Sequence, residues 1–125
     1  MAPRVLHYSD VENAYDSPIR IGRLAGLLAS RSGPSTIVAG TGDNTGPGVL
    51  ALVTEARQSL EFFRAVEPDL ETFGNHDFDY GPARTLDVVR ESPQTWVSAN
   101  VRRNGTAFGA DAGVRPWTIL ERDGD

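Results

Sequence analysis

Four short apolar runs, at residues 4–9, 35–39, 68–73 and 95–99, alternate with stretches of helical periodicity, and this alternation limits the available folds more than any other property. Strand, helix, strand, helix, strand, helix, strand is the pattern of a parallel sheet with covering helices. Parallel neighbours need a crossover long enough to bring the chain back to the same end. Asp16-Ser17-Pro18 reads as a helix start, with a capping side chain and proline at the first helical position. The helix then carries Ile21, Leu24, Ala25, Leu27 and Leu28 at spacings of three and four and stops near Ser32-Gly33-Pro34. A second helix is predicted over 50–66, with Leu52, Ala56, Leu60, Phe63 and Val66 along one face, and a third over 82–91. Residues 102–114 are polar and glycine-rich, a hairpin or surface excursion, and 116–121 read as a fifth strand. Trp96 and Trp117 fall in predicted strands and are assigned to the core. Asp123-Gly124-Asp125 resembles the first half of a tight hairpin turn, so the sheet is expected to be incomplete.

The first three runs empty into turns with a common chemistry. Asp10-Val11-Glu12 closes the first, and in an extended backbone residues i and i+2 point the same way, so both carboxylates can face one point. The second opens into a loop at residues 40–48 that holds Asp43 among four glycines. After the third, Gly74 lets the backbone turn, and Asn75, His76, Asp77 and Asp79 follow. Ligands of open parallel sheets bind at the carboxyl ends of the strands, so these turns converge on one crevice. Oxygen donors suit hard divalent cations, and a bridging carboxylate can hold two metals about 4 Å apart. A chance set of solvated acidic turns is the bland alternative. His7 lies within the first strand, with period two pointing it away from Asp10, and a buried, hydrogen-bonded structural role is expected for it.

Composition excludes several classes. The 125 residues include no cysteine, which removes disulfides and thiolate metal sites. All 12 basic residues are arginine, against 17 acidic ones, for a net charge of -5. That balance argues against a nucleic-acid polymer or an anionic membrane as partner. Without lysine there is no Walker A loop, and Gly40-Thr41-Gly42 has the wrong spacing for dinucleotide binding, with an aspartate where pyrophosphate would press. No apolar run approaches the roughly 20 residues needed to span a bilayer, and the N-terminus carries no apolar signal region. The expected location is cytoplasmic.

In this order and at these spacings, Leu6-His7-Tyr8-Ser9-Asp10-Val11-Glu12, Gly42-Asp43-Asn44 and Gly74-Asn75-His76-Asp77-Phe78-Asp79 resemble the first three blocks of the calcineurin-like metallophosphoesterases. Phe78-Asp79-Tyr80-Gly81 and Ser98-Ala99-Asn100-Val101 resemble its 5'-nucleotidase branch, which includes UDP-sugar hydrolases and 2',3'-cyclic phosphodiesterases. The resemblance implies an α/β fold: the N-terminal half of the metallophosphoesterase β-sandwich flanked by helices, with a largely parallel sheet, incomplete. Residues 1–125 would then be the N-terminal segment of a catalytic domain, without its second half and without a nucleotide-binding domain.

Carried over position by position, the resemblance implies that Asp10 binds a first metal, Asp43 bridges two, and Asn75 binds the second. Asn75 and His76 would contact the substrate phosphate. His76 would stabilise charge developing on that phosphate, and Asp79 would orient and charge-balance the imidazole. The implied cofactors are two divalent ions among Mn²⁺, Mg²⁺ and Zn²⁺. Glu12 stands where the family usually has histidine; as a ligand its harder oxygen favours Mn²⁺, and otherwise it points away. The implied activity is phosphoester hydrolysis of a nucleotide by a metal-activated water. The only histidines are His7 and His76, so the family's downstream histidine ligands are not in this chain. A non-catalytic fragment, or a metal- and phosphate-binding module, is therefore the alternative. An incomplete sheet leaves edge and apolar surface uncovered, and self-association is expected of it.

Overall fold

The computed structural model describes residues 2–122, and the predicted half-turn at 123–125 lies outside them. Strands β1 (Arg4–Tyr8), β2 (Thr36–Gly40), β3 (Leu70–Glu71) and β4 (Thr95–Trp96) form one sheet in the order β1-β2-β3-β4, every pair parallel. Helices α1 (Pro18–Arg31), α2 (Val49–Thr54), α3 (Ser59–Val66) and α4 (Pro82–Glu91) make the crossovers. The antiparallel hairpin of β5 (Arg102–Arg103) and β6 (Thr106–Ala107) occupies the polar excursion. This is the α/β arrangement expected from the alternation. No helix among the described residues is long and apolar enough to cross a membrane.

Register determines which side chains meet the helices. Tyr8, Gly40, Glu71 and Trp96 align across the four strands in one row. Tyr8, Val38 and Trp96 pack with Leu28 of α1, with Leu60, Phe62, Phe63 and Val66 of α3, and with Val88 and Val89 of α4. Aromatic rings run through this layer: Phe62 meets Tyr8 edge-on at 5.6 Å, Phe63 meets Trp96 edge-on at 6.2 Å, and Phe73 stacks on Trp96 at 4.9 Å. Each such side chain, fully buried, contributes about 1.5–3 kcal/mol. Val5 and His7 belong to the opposite face and are exposed.

Helix α1 begins as its sequence signals, with Pro18 in the first turn and Ser17 Oγ accepting from the Arg20 amide at 3.3 Å. Asp16 has a different task. Its two carboxylate oxygens accept from the Val49 and Leu50 amides, 2.8 Å each, and so cap α2 across the chain. Those two donors hold the Asp16 carboxyl below the usual carboxylate range.

Three expectations are corrected. The predicted helix over 50–66 is two helices, because Glu55 and Ala56 both take left-handed backbone, at φ 53° and 72°. The break is fixed from outside: Gln58 Nε2 donates to the Thr45 carbonyl at 2.7 Å, and Thr54 Oγ1 donates to Gln58 Oε1. It turns α3 so that Phe62 as well as Leu60, Phe63 and Val66 are buried, while Leu52 is left exposed. The predicted strand at 116–121 is a single parallel bridge between Val97 and Arg115. Pro116 has no amide hydrogen to extend the ladder, and Trp117, assigned to the core, is 69% exposed. His7 is also exposed rather than buried, though hydrogen-bonded, with Nε2 2.6 Å from Thr41 Oγ1.

Candidate active site

The chain after β1 turns at once. Asp10 and Glu12 take left-handed backbone at φ 53° and 47°, with Val11 helical between them. The extended geometry expected for Asp10-Val11-Glu12 is therefore absent, and the two carboxylates converge by a tight turn instead. Backbone bonds seal that turn to the loop after β2: the Asp10 amide donates to the Gly42 carbonyl at 3.0 Å and the Glu12 amide to the Asp43 carbonyl at 3.1 Å. Asp43 is itself left-handed, at φ 55°. Non-glycine residues rarely adopt this conformation, and three of them clustered at one point mark backbone strain at a site.

The result is a carboxylate cluster. Asp10, Glu12 and Asp43 each present an oxygen, and the three oxygens lie within 4.8 Å of one another. None of the ion pairs formed among the described residues involves any of the three. No arginine among the described residues pairs with these carboxylates, and three oxygen donors this close together could hold a hard divalent cation.

The loop after β3 closes over this cluster. The Asp43 carboxylate accepts from the His76 amide at 2.8 Å. Gly42, at φ 107°, lies against Gly74: a Cβ on Gly42 would sit 2.6 Å from the Gly74 nitrogen, so the backbones touch only because no side chain intervenes. Asn75 opens a short 3-10 turn, Asn75–Phe78, and is exposed. His76 Nδ1 lies 2.9 Å from Asp79 Oδ2, with about a third of each side chain open to solvent. That hydrogen bond raises the imidazole above its ordinary range, and the charges of Asp79, Asp43 and Glu12 add to the effect.

Sequence reasoning gave Asp77 no role of its own, yet its carboxylate ties the site together. It accepts from the Gly74 amide at 2.7 Å, the Asp43 amide at 2.9 Å, the Thr45 amide at 3.2 Å and Thr45 Oγ1 at 2.6 Å. Asp77 is buried, and burial pushes its carboxyl above the usual range against the pull of these donors. Beneath lies a second buried carboxylate, Glu71, which accepts from Tyr8 Oη, from Asn44 Nδ2 at 2.6 Å and from Gln94 Nε2 at 3.4 Å. Burial raises Glu71 to about 7, with Tyr8, Asn44 and Gln94 pulling the other way. The run 68–73 carries two acids on one phase, Asp69 and Glu71, so alternation alone does not single out Glu71 as the buried one.

The structure thus brings Asp10, Glu12 and Asp43 into one cluster, and bonds the loop of Asn75, His76 and Asp79 to it through Asp43. His7 is not a member of this cluster and pairs with Thr41.

No protein-family model matches the chain, and no curated protein matches it in sequence. Its fold is similar to that of a solved 5'-nucleotidase precursor from Thermus thermophilus, with TM-score 0.79 and 18% sequence identity. That match covers 100% of this chain and 27% of the other, so the chain spans about a quarter of its length. The likeness establishes the fold, an α/β unit equivalent to the N-terminal part of a 5'-nucleotidase.

Proposed function

We propose that this chain carries the N-terminal, metal-binding segment of the catalytic domain of a phosphoester hydrolase acting on nucleotides, of the 5'-nucleotidase kind. The observation that carries the reading is the meeting of Asp10, Glu12 and Asp43 within 4.8 Å beside the His76–Asp79 pair. The donor set fits a hard divalent cation, since it is all oxygen, lacks an ion-paired arginine and is held by backbone bonds between two loops. Asp10, Glu12 and Asp43 would hold the metal, Asn75 would contribute to a second site, and Mn²⁺ or Mg²⁺ suits the set better than Zn²⁺. Metal bound there supplies an activated water and neutralises charge on a phosphoryl group.

The chain's own residues supply the remainder. The Asp43 carboxylate accepts from the His76 amide, a bond that would tie the metal site to the phosphate site. Asp79 keeps the imidazole of His76 oriented and biased toward its cationic form, suited to a phosphate whose charge grows in the transition state. Asn75, exposed in the same turn, would contact the same phosphate.

The test is phosphate release from AMP, UDP-glucose and bis(p-nitrophenyl) phosphate with Mn²⁺, Mg²⁺ or Zn²⁺. Release that is metal-dependent and vanishes in His76→Ala supports hydrolysis. A second reading, metal and phosphate binding without turnover, is favoured by one fact: the ligand group found among the described residues holds three carboxylates and no histidine. Tight Mn²⁺ binding without release under any condition would select that reading.

A further inference from the structure

Asp10, Glu12 and Asp43 come from two separate loops, and one buried residue of the second loop, with no part in the proposed chemistry, is bonded to the first. Asn44 is 1% exposed and follows Asp43 directly. Its Oδ1 accepts from the Val11 amide at 3.3 Å, the residue between Asp10 and Glu12. Its carbonyl accepts from Tyr15 Oη at the end of the same turn. Its Nδ2 donates to Glu71 Oε1 at 2.6 Å. Glu71, also 1% exposed, is anchored in turn by Tyr8 Oη and Gln94. Gly40, the in-register neighbour of Glu71 on β2, leaves the volume into which this carboxylate folds.

We infer that Glu71 is a positioning residue for the metal-binding carboxylates, acting through Asn44. Glu71 fixes the rotamer of Asn44 from below. Asn44 then holds the Val11 amide, and with it the left-handed residues on either side, at the distance from Asp43 that lets three oxygens face one cation. A buried carboxylate that merely filled space would be replaced without loss by an apolar side chain of its own size. One that holds a ligand-bearing turn is not, because the freed Asn44 leaves the Val11 amide without its partner. The inference rests on the metal-site reading above.

The experiment compares Mn²⁺ binding by calorimetry in wild type, Glu71→Met and Glu71→Gln, with amide hydrogen exchange at Val11 and Glu12 measured alongside. Methionine keeps the volume and removes the acceptor; glutamine keeps one oxygen able to accept from Asn44. Expected are a Mn²⁺ affinity about tenfold or more weaker in Glu71→Met, near-wild-type affinity in Glu71→Gln, and faster exchange at Val11 in the first variant only. Val88→Ala, a core change in α4 that removes no hydrogen bond of this network, calibrates lost stability and keeps wild-type affinity. The inference is overturned if Glu71→Met binds Mn²⁺ as wild type does with Val11 still protected, or if Val88→Ala weakens binding as much. If Glu71→Met does not fold, Asn44→Ala takes its place and must show the same loss. If wild type binds no Mn²⁺, the metal reading falls alone: Val11 exchange selectively faster in Glu71→Met still supports the positioning role, and unchanged exchange overturns it.

Discussion

Gly40 and Glu71 are cross-strand partners on β2 and β3, and the space that a side chain at position 40 would occupy is filled by the Glu71 carboxylate. The pairing is reciprocal. Glycine at the end of β2 is what allows a charged residue to lie inside the helix-covered layer, and the charge satisfies Tyr8, Asn44 and Gln94. Gly40→Ala should therefore evict the carboxylate and cost about 3 kcal/mol, the range for breaking a buried charged network. Urea denaturation of the variant checks this; a loss below about 1 kcal/mol contradicts it.

Glu71 also gives folding a pH dependence of definite sign. Its folded-state value of about 7 stands above the ordinary carboxyl value of 4.5. A group raised on folding contributes stability that is complete below the unfolded value and lost as pH rises through the folded one. Stability should thus decline from about pH 4.5 to 7, by an amount on the order of 3 kcal/mol for this group. In Glu71→Gln that part of the slope disappears. Denaturation midpoints of both proteins across that window provide the comparison.

Asp77 accepts four hydrogen bonds from three residues, Asp43, Thr45 and Gly74. Asp77→Ala leaves two buried and two part-buried donors unsatisfied, at roughly 1–3 kcal/mol for each buried one, partly relieved by water. The expected loss is about 3–5 kcal/mol, with faster amide exchange at Asp43 and Thr45. Protection factors unchanged at those two amides would show that the loops do not depend on Asp77.

The His76–Asp79 hydrogen bond is the first cause of the raised imidazole. Asp79→Asn should move the His76 midpoint downward, toward the ordinary histidine range, as read from NMR titration of the imidazole nuclei. An unchanged midpoint would remove Asp79 as its partner.

Much of this was legible beforehand, because β1 and β2 are apolar runs and Gly74 is a visible break. The three acidic turns met where strand-end logic puts ligand sites, although the route for Asp10 and Glu12 differed. Period two in an extended chain gave the right convergence for the wrong reason, since Glu12 faces Asp43 through left-handed backbone that nothing in Asp-Val-Glu announces. The break at Glu55 and Ala56 has no glycine or proline to mark it and is imposed by Gln58 reaching Thr45. Pro116 was a sufficient sign against a fifth strand. Glu71 was hardest to read, because a charge in a strand usually faces water and only the register beside Gly40 shows that it does not.

The most direct test of the metal-centre account is calorimetric titration of the chain with Mn²⁺, in wild type and in Asp43→Ala. Asp43 joins the parts of the site: its carbonyl accepts from the Glu12 amide, its carboxylate accepts from the His76 amide, and its oxygen lies within 4.8 Å of those of Asp10 and Glu12. The account predicts saturable binding in wild type and a loss of affinity of about 10-fold to 100-fold or more in Asp43→Ala, with the variant still folded by circular dichroism. Equal affinity in the two proteins, or no binding by folded wild type, would contradict it.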